Sequence, residues 1–169
     1  MSLSSLNQEL FRRSNPIDTF EDVVSSDYDH EVSRVGDDEL VVNCRGQWTG
    51  YEMHCFWQQE QQALHTSCLV EIRIQNQTLK DINTLLSEVN SRLWFGHFEI
   101  DREGGVLSFR HTTLLRGVGA ISSGQIQDIL EISVGECDRF FPAFQMVIWG
   151  GLTPDQAMQA ALLETVGEA

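Results

Sequence analysis

The stretch that decides the fold spans residues 39–74 and reads ELVVNCRGQWTGYEMHCFWQQEQQALHTSCLVEIRI. In three successive runs, nearly every second residue is apolar. This period of two is typical of a β-strand with one buried face. Turn-forming residues at 36–38, 45–47 and 58–62 bound the runs. The alternating positions are Leu40, Val42 and Cys44, then Tyr51, Met53, Cys55 and Trp57, then Leu64, Thr66, Cys68, Val70, Ile72 and Ile74. They predict three strands of an antiparallel meander with one apolar face.

Two helices and a hairpin are predicted around this meander. Apolar residues recur at helical spacing over residues 17–25, directly after Pro16, and again as a stripe over residues 79–93. Two further strands, 95–101 and 106–115, are joined by a turn whose Gly104-Gly105 pair allows a tight hairpin.

Two more helices are predicted toward the C-terminus. Ser122 is followed three residues later by Gln125, and residues 153–156 (TPDQ) repeat that spacing, so both sites are typical of capping boxes at helix starts. Pro142 lies inside the first of these helices and should kink it, because proline lacks an amide donor. The glycines at 150–151 should end that helix.

The predicted order of elements is therefore α-β-β-β-α-β-β-α-α. Such an order lacks the regular alternation of a parallel sheet, so we expect an α+β fold in which helices pack on an antiparallel sheet. The length of 169 residues suits one core, and we expect a single domain over residues 16–169 behind a flexible leader at residues 1–15.

The composition indicates an acidic, soluble protein. The chain has 11 Lys and Arg against 25 Asp and Glu, for a formal charge of -14, which disfavours direct binding to nucleic-acid phosphates. No apolar run is long enough to span a membrane, and the first 15 residues lack the apolar core of an export signal. Four widely spaced cysteines in apolar segments suit buried free thiols in a reducing compartment, so we expect a cytoplasmic protein.

The sequence offers no recognisable metal, cofactor or catalytic site. His54 and Cys55 are adjacent on a predicted strand, and His65 and Cys68 are three apart on another, so the members of each pair should face opposite ways. Cys137 lies on an apolar helical stripe, which favours a core thiol over a nucleophile. We therefore expect no metal, no cofactor and no enzymatic activity.

Five residues are candidates for a partner or ligand surface. Arg110 and His111 lie in an apolar neighbourhood where a charge should have a partner, and a structural salt bridge is the favoured interpretation. The alternative is a cleft of a small-molecule or nucleotide sensor, or of an enzyme, formed by these two residues and the 117–119 loop. The aromatic candidates for contact with a partner are Trp48, Trp57 and Trp149.

Three ordered segments resemble the YbjN family of bacterial sensory-transduction regulators. They are NSRLWFGHF at 90–98, FRH at 109–111 and ECDRFFPAF at 136–144, and the resemblance extends over about residues 17–166. The Asn-x-x-Leu-Trp-x-Gly-x-Phe pattern of the first segment is the most specific part.

This resemblance implies a fold similar to that of type III secretion chaperones, which commonly dimerise and bind partner proteins without chemistry. It implies no known active site. The leading hypothesis is a chaperone-like or adaptor homodimer that binds an unidentified protein partner. We also expect a packing role for each aromatic position of the pattern, with Trp94 and Phe98 flanking the entry to a strand.

Overall fold

The computed structural model describes residues 15–26, 30–101, 103–118 and 120–166. For residues 164–166 it describes the backbone only. Residues 1–14 of the predicted leader lie outside this range. Asn15, its last residue, is the N-cap of the first helix, where its side chain accepts a hydrogen bond from the Ile17 amide at 2.9 Å. The same side chain donates to the Asp37 carbonyl at 3.0 Å and to the Asp38 carboxylate at 2.9 Å, so Asn15 is tied to the following hairpin.

One antiparallel sheet of six strands organises the described residues, in the order β1-β2-β3-β4-β6-β5. The strands are β1 (Glu31–Gly36), β2 (Glu39–Arg45), β3 (Gly50–Gln58), β4 (Ala63–Arg73), β5 (His97–Ile100) and β6 (Val106–Leu114). The α+β class and the antiparallel sheet are confirmed, as are the meander and the hairpin.

The structure adds one strand, β1, at the edge of the sheet. The sequence pattern does not predict β1, because this strand has few apolar residues. An edge strand pairs with only one neighbouring strand and needs fewer apolar residues. Arg34 of β1 makes ion pairs with Asp18 at 2.9 Å and Glu21 at 2.7 Å, which join β1 to the first helix.

Four helices accompany the sheet within the described residues: α1 (Pro16–Ser25), α2 (Leu79–Asn90), α3 (Ser123–Ile148) and α4 (Pro154–Val166). Both predicted capping boxes are present, since Ser122 and Gln125 exchange hydrogen bonds, as do Thr153 and Gln156. The helix α3 continues through the buried Pro142, and the predicted kink there stays a prediction. No helix of the described part is long and apolar enough to cross a membrane.

The inner face of the sheet carries the core. A row of paired positions crosses five strands and places buried side chains side by side, in the order Val42, Met53, Cys68, Phe109 and Phe98. These residues and the buried side chains of all four helices form one cluster. Burying apolar surface in this way is the main driving force of the fold.

A polar contact far apart in sequence fixes the β2–β3 turn onto α3. The Asp138 carboxylate accepts hydrogen bonds from the Gln47 amide at 2.9 Å and from the Tyr51 hydroxyl at 2.7 Å. A Cβ added at Gly46 would lie 2.2 Å from the Tyr51 ring, so glycine is needed for this close approach. Burial and then the hydrogen bond to Asp138 raise the pKa of Tyr51, which therefore stays a donor.

All four cysteines are buried free thiols, as predicted. Burial is the largest cause that raises the pKa of Cys44, to about 12. A hydrogen bond with Cys68, followed by burial, raises the pKa of Cys137. A thiol attacks electrophiles as the thiolate. Burial shields all four thiols, and the raised pKa of Cys44, Cys55 and Cys137 also disfavours the thiolate of these three.

Replacing Asp138 with Ala should destabilise the protein by about 2–3 kcal/mol. The reason is that the Gln47 amide and the Tyr51 hydroxyl lose their carboxylate acceptor. The free energy of unfolding in urea measures this loss. Asp128→Ala is the matched control, since Asp128 is exposed on the same helix, and it should change stability little. Equal stability of the two variants would contradict the anchoring role of Asp138.

Ellman's reagent should label none of the four cysteines rapidly in the native protein at pH 8, and all four after denaturation in guanidinium chloride. The physical reason is the burial of all four thiols, to which a raised pKa adds at Cys44, Cys55 and Cys137. A Ser87→Cys variant places a thiol on the exposed side of α2 and should react quickly under native conditions. Fast labelling of the wild-type protein would show that at least one of these thiols is accessible.

Candidate functional site

The connection between α2 and β5 is held by one side chain, that of Asn90. Its carbonyl oxygen accepts a hydrogen bond from the Phe98 amide at 2.7 Å, and its amide nitrogen donates to the Phe98 carbonyl at 3.0 Å. The Asn90 side chain thus pairs with both backbone groups of Phe98 on the side of β5 that faces away from β6. It fixes the length and path of the intervening segment, which we call the 91–97 loop.

Gly96 allows this loop to pass close to β6. Its φ of +64° lies in the left-handed region, which favours glycine, and an added Cβ would lie 2.5 Å from the Arg110 carbonyl oxygen and from the Phe109 ring. Phe98, directly after the loop, packs its ring 5.2 Å from Phe109 and 5.5 Å from Phe144. The loop is therefore anchored at its end by a buried aromatic cluster.

Trp94 lies in this anchored loop with 94% of its surface exposed, the highest value among the large apolar residues that the structure describes. The packing role expected for Trp94 is therefore wrong, although it is correct for Phe98, which is 2% exposed. The loop path that Asn90 and Gly96 fix packs Leu93 against the core and leaves Trp94 outside it. Phe95 is 55% exposed and makes an edge contact with His111, with ring centroids 6.2 Å apart.

Arg110 and His111 lie on opposite faces of the sheet, since they are adjacent on β6. Arg110 is exposed and makes an ion pair with Glu99 of β5 at 3.0 Å, which confirms the predicted salt bridge. His111 is half-buried on the inner side, and burial lowers its pKa, so the imidazole is neutral at pH 7. The two side chains therefore do not line the same face of the sheet.

The three tryptophans named from the sequence have different environments. Trp57 is 6% exposed and belongs to the core, so its prediction as a surface residue is wrong. The physical reason is strand alternation, because Trp57 shares the inner face with Met53 and Cys55. Trp149 is 65% exposed just after α3. Trp48 is 48% exposed, and its indole donates to the Asp138 carbonyl at 3.0 Å.

The described residues contain no group of three or more His, Cys, Asp or Glu side chains arranged to hold a metal ion. His54 is paired with Glu52 at 2.6 Å on the outer face, whereas Cys55 is buried on the inner face. His65 contacts Thr112 at 2.9 Å on the outer face, and Cys68 is again buried. The predicted opposite orientation of these pairs is therefore confirmed.

Replacing Asn90 with Ala should destabilise the protein by about 2–3 kcal/mol, because the amide and carbonyl of the buried Phe98 lose their partners. Thermal or urea unfolding measures the effect. Asn83→Ala changes an exposed asparagine on the same helix and should leave stability nearly unchanged. The role assigned to Asn90 would be contradicted if both variants unfolded with the wild-type free energy.

The chain matches one known protein family over most of its length. A family model named YbjN and described as "Putative bacterial sensory transduction regulator" matches residues 17–146. No curated protein matches the chain. The matched region includes the whole sheet, the Asn90–Phe98 motif and most of α3. Because the match covers most of its length, the chain belongs to the YbjN family.

Proposed function

We propose that this protein is a non-enzymatic regulator that binds another protein and works as a chaperone-like or adaptor homodimer in the bacterial cytoplasm. The single observation that supports this proposal best is the exposed Trp94 on an anchored loop. The regulator description of the YbjN family fits such a role. The chaperone-like part rests on the resemblance of the sequence, and residues 16–169 are taken as the functional unit.

An exposed tryptophan on a fixed backbone is well suited to protein recognition. Tryptophan is among the residues most enriched in binding hot spots, because it buries a large apolar area and still offers an indole donor. The entropic cost of binding falls when the loop that carries it is already ordered. Asn90 and Gly96 supply that order here, so Trp94 is presented in advance of any partner.

The polar side chains around the loop also support binding of a protein by surface contact. Arg110 is occupied by Glu99, and His111 lies half-buried against Phe95, so both have structural partners. These side chains therefore do not present an unpaired charge for a ligand. Trp48 and Trp149 remain candidates for a wider partner surface, because both stay substantially exposed.

Replacing Trp94 with Ala should remove most of the partner protein that co-purifies with the full chain, because the principal apolar anchor is lost. The thermal midpoint should stay near the wild-type value, since the exposed ring contributes little to the fold. Quantitative mass spectrometry of material purified from the native bacterium measures the retained partner. Trp149→Ala is the matched variant, with the same change at another exposed tryptophan.

Two results would contradict the proposal. A partner that is retained by Trp94→Ala and lost by Trp149→Ala would move the contact away from the 91–97 loop. A metabolite or nucleotide that raises the thermal midpoint of the wild-type protein by several degrees would favour the sensor alternative, because a ligand that binds the native state stabilises it by mass action.

A further inference from the structure

The sheet has a second face that the four helices do not cover, which we call the outer face. Its side chains alternate with those of the core, and within the described strands they are exposed or half-buried apart from Ala63 and Ser108. One row of paired positions crosses this face in the order Val41, His54, Ser67, Arg110 and His97. Antiparallel sheets often leave one face to solvent, so exposure alone assigns it no role.

Charge divides the outer face into two halves. The strands place five carboxylates on the outer face. Four of them lie on one side of this row, namely those of Glu31, Glu52, Glu71 and Glu99. The row itself and the other side, which together we call the carboxylate-poor half, contain only Glu39 among strand carboxylates. This half has the exposed apolar side chains Val35, Phe56 and Leu114, which are 60%, 45% and 71% exposed.

This distribution matters because each chain carries a formal charge of -14. Two such molecules repel each other, and the repulsion is strongest where carboxylates face carboxylates. A contact between copies is therefore least costly where acidic groups are scarce and apolar groups are exposed. The carboxylate-poor half meets both conditions, with the acidic turn residues Asp37, Asp38 and Glu60 at its rim.

We infer that a second copy of this chain docks on the outer face, with Phe56 and Leu114 at the centre of the contact. This inference rests on the homodimer proposed above and names the surface that forms it. The arrangement is a two-fold contact in which the same face of each copy meets the other. Arg45 and Arg73, which are exposed on this face, are available to face the glutamates of the partner copy.

The size of the face is compatible with a stable dimer. Six strands at about 4.8 Å spacing and about seven residues of roughly 3.4 Å each give a plane on the order of 700 Å². Standard interfaces bury about 800 Å² on each partner, with an apolar centre and a polar rim. Phe56 and Leu114 supply the apolar centre, and the charged half supplies part of the rim.

The contact predicts an unusual response to salt. Because both copies are strongly negative, added salt screens their repulsion and should strengthen the dimer. A contact held mainly by ion pairs between the copies would show the opposite trend, because screening weakens an attraction between opposite charges. The sign of the salt effect therefore distinguishes an apolar contact between two acidic copies from a contact held by ion pairs.

Sedimentation equilibrium of the full chain at low and high sodium chloride tests the inference. The wild-type protein should dimerise more tightly at high salt, and Leu114→Glu should weaken the dimer about tenfold or more, because it places a carboxylate in the contact. Leu163→Glu is the matched control, since Leu163 is 73% exposed on α4 and gains the same charge. Phe56→Glu repeats the test at a second position, and circular dichroism checks that each variant is folded.

The outcomes separate this inference from the proposed function. A wild-type protein that dimerises while Leu114→Glu and Phe56→Glu keep its affinity would overturn the assigned surface and leave the dimer intact. A dimer that weakens with added salt would also count against an apolar contact between two acidic copies. A strictly monomeric wild-type protein at all salt concentrations would refute the homodimer itself.

Discussion

The helices α1, α2 and α3 pack on one face of the sheet, and α4 packs on α2 and α3, because β2, β3 and β4 place their apolar side chains on that face alone. The aligned row from Val42 to Phe98 shows how far this constraint extends, since it crosses five strands without interruption. Removing those side chains from water requires helices with apolar stripes of matching length, and α2 and α3 supply them. The opposite face of the sheet is left exposed as a direct consequence.

Apolar burial determines which elements pack together, whereas two polar side chains determine how their connections run. Asn90 pairs with the backbone of Phe98, and Asp138 collects donors from the β2–β3 turn. Buried backbone groups need partners, so each contact specifies one geometry of a segment that apolar packing alone would leave loosely defined. Both residues belong to the segments that resemble the YbjN family, which gives those segments a physical explanation.

Local patterns in the sequence predict most of the fold. The period of two predicts β2, β3 and β4, and the capping-box spacing predicts the starts of α3 and α4. The strand β1 escapes prediction because an edge strand needs few apolar residues. The contact of Asp138 with Tyr51 joins residues 87 positions apart, and a single sequence contains no local signal for it.

The candidate site was harder to predict, because exposure depends on position and not on residue type. The surface role predicted for Trp57 conflicts with its place in the strand alternation, which indicates the core. The packing role predicted for Trp94 fails because the backbone path set by Asn90 and Gly96 exposes it. Arg110 and His111 are adjacent on one strand, so their side chains lie on opposite faces of the sheet. The strand period therefore predicts from the sequence alone that the two side chains do not share a face.

The two surfaces assigned here lie on different elements and are governed by different forces. Trp94 is carried by the 91–97 loop, whereas Phe56 and Leu114 are carried by strands of the outer face. A large negative charge limits self-association in general, so the proposed dimer contact is centred on the part of the sheet where carboxylates are scarce. A partner held by one exposed tryptophan is not subject to the same limit, since its affinity depends mainly on apolar burial and loop order. Dimerisation and partner binding should therefore respond differently to ionic strength.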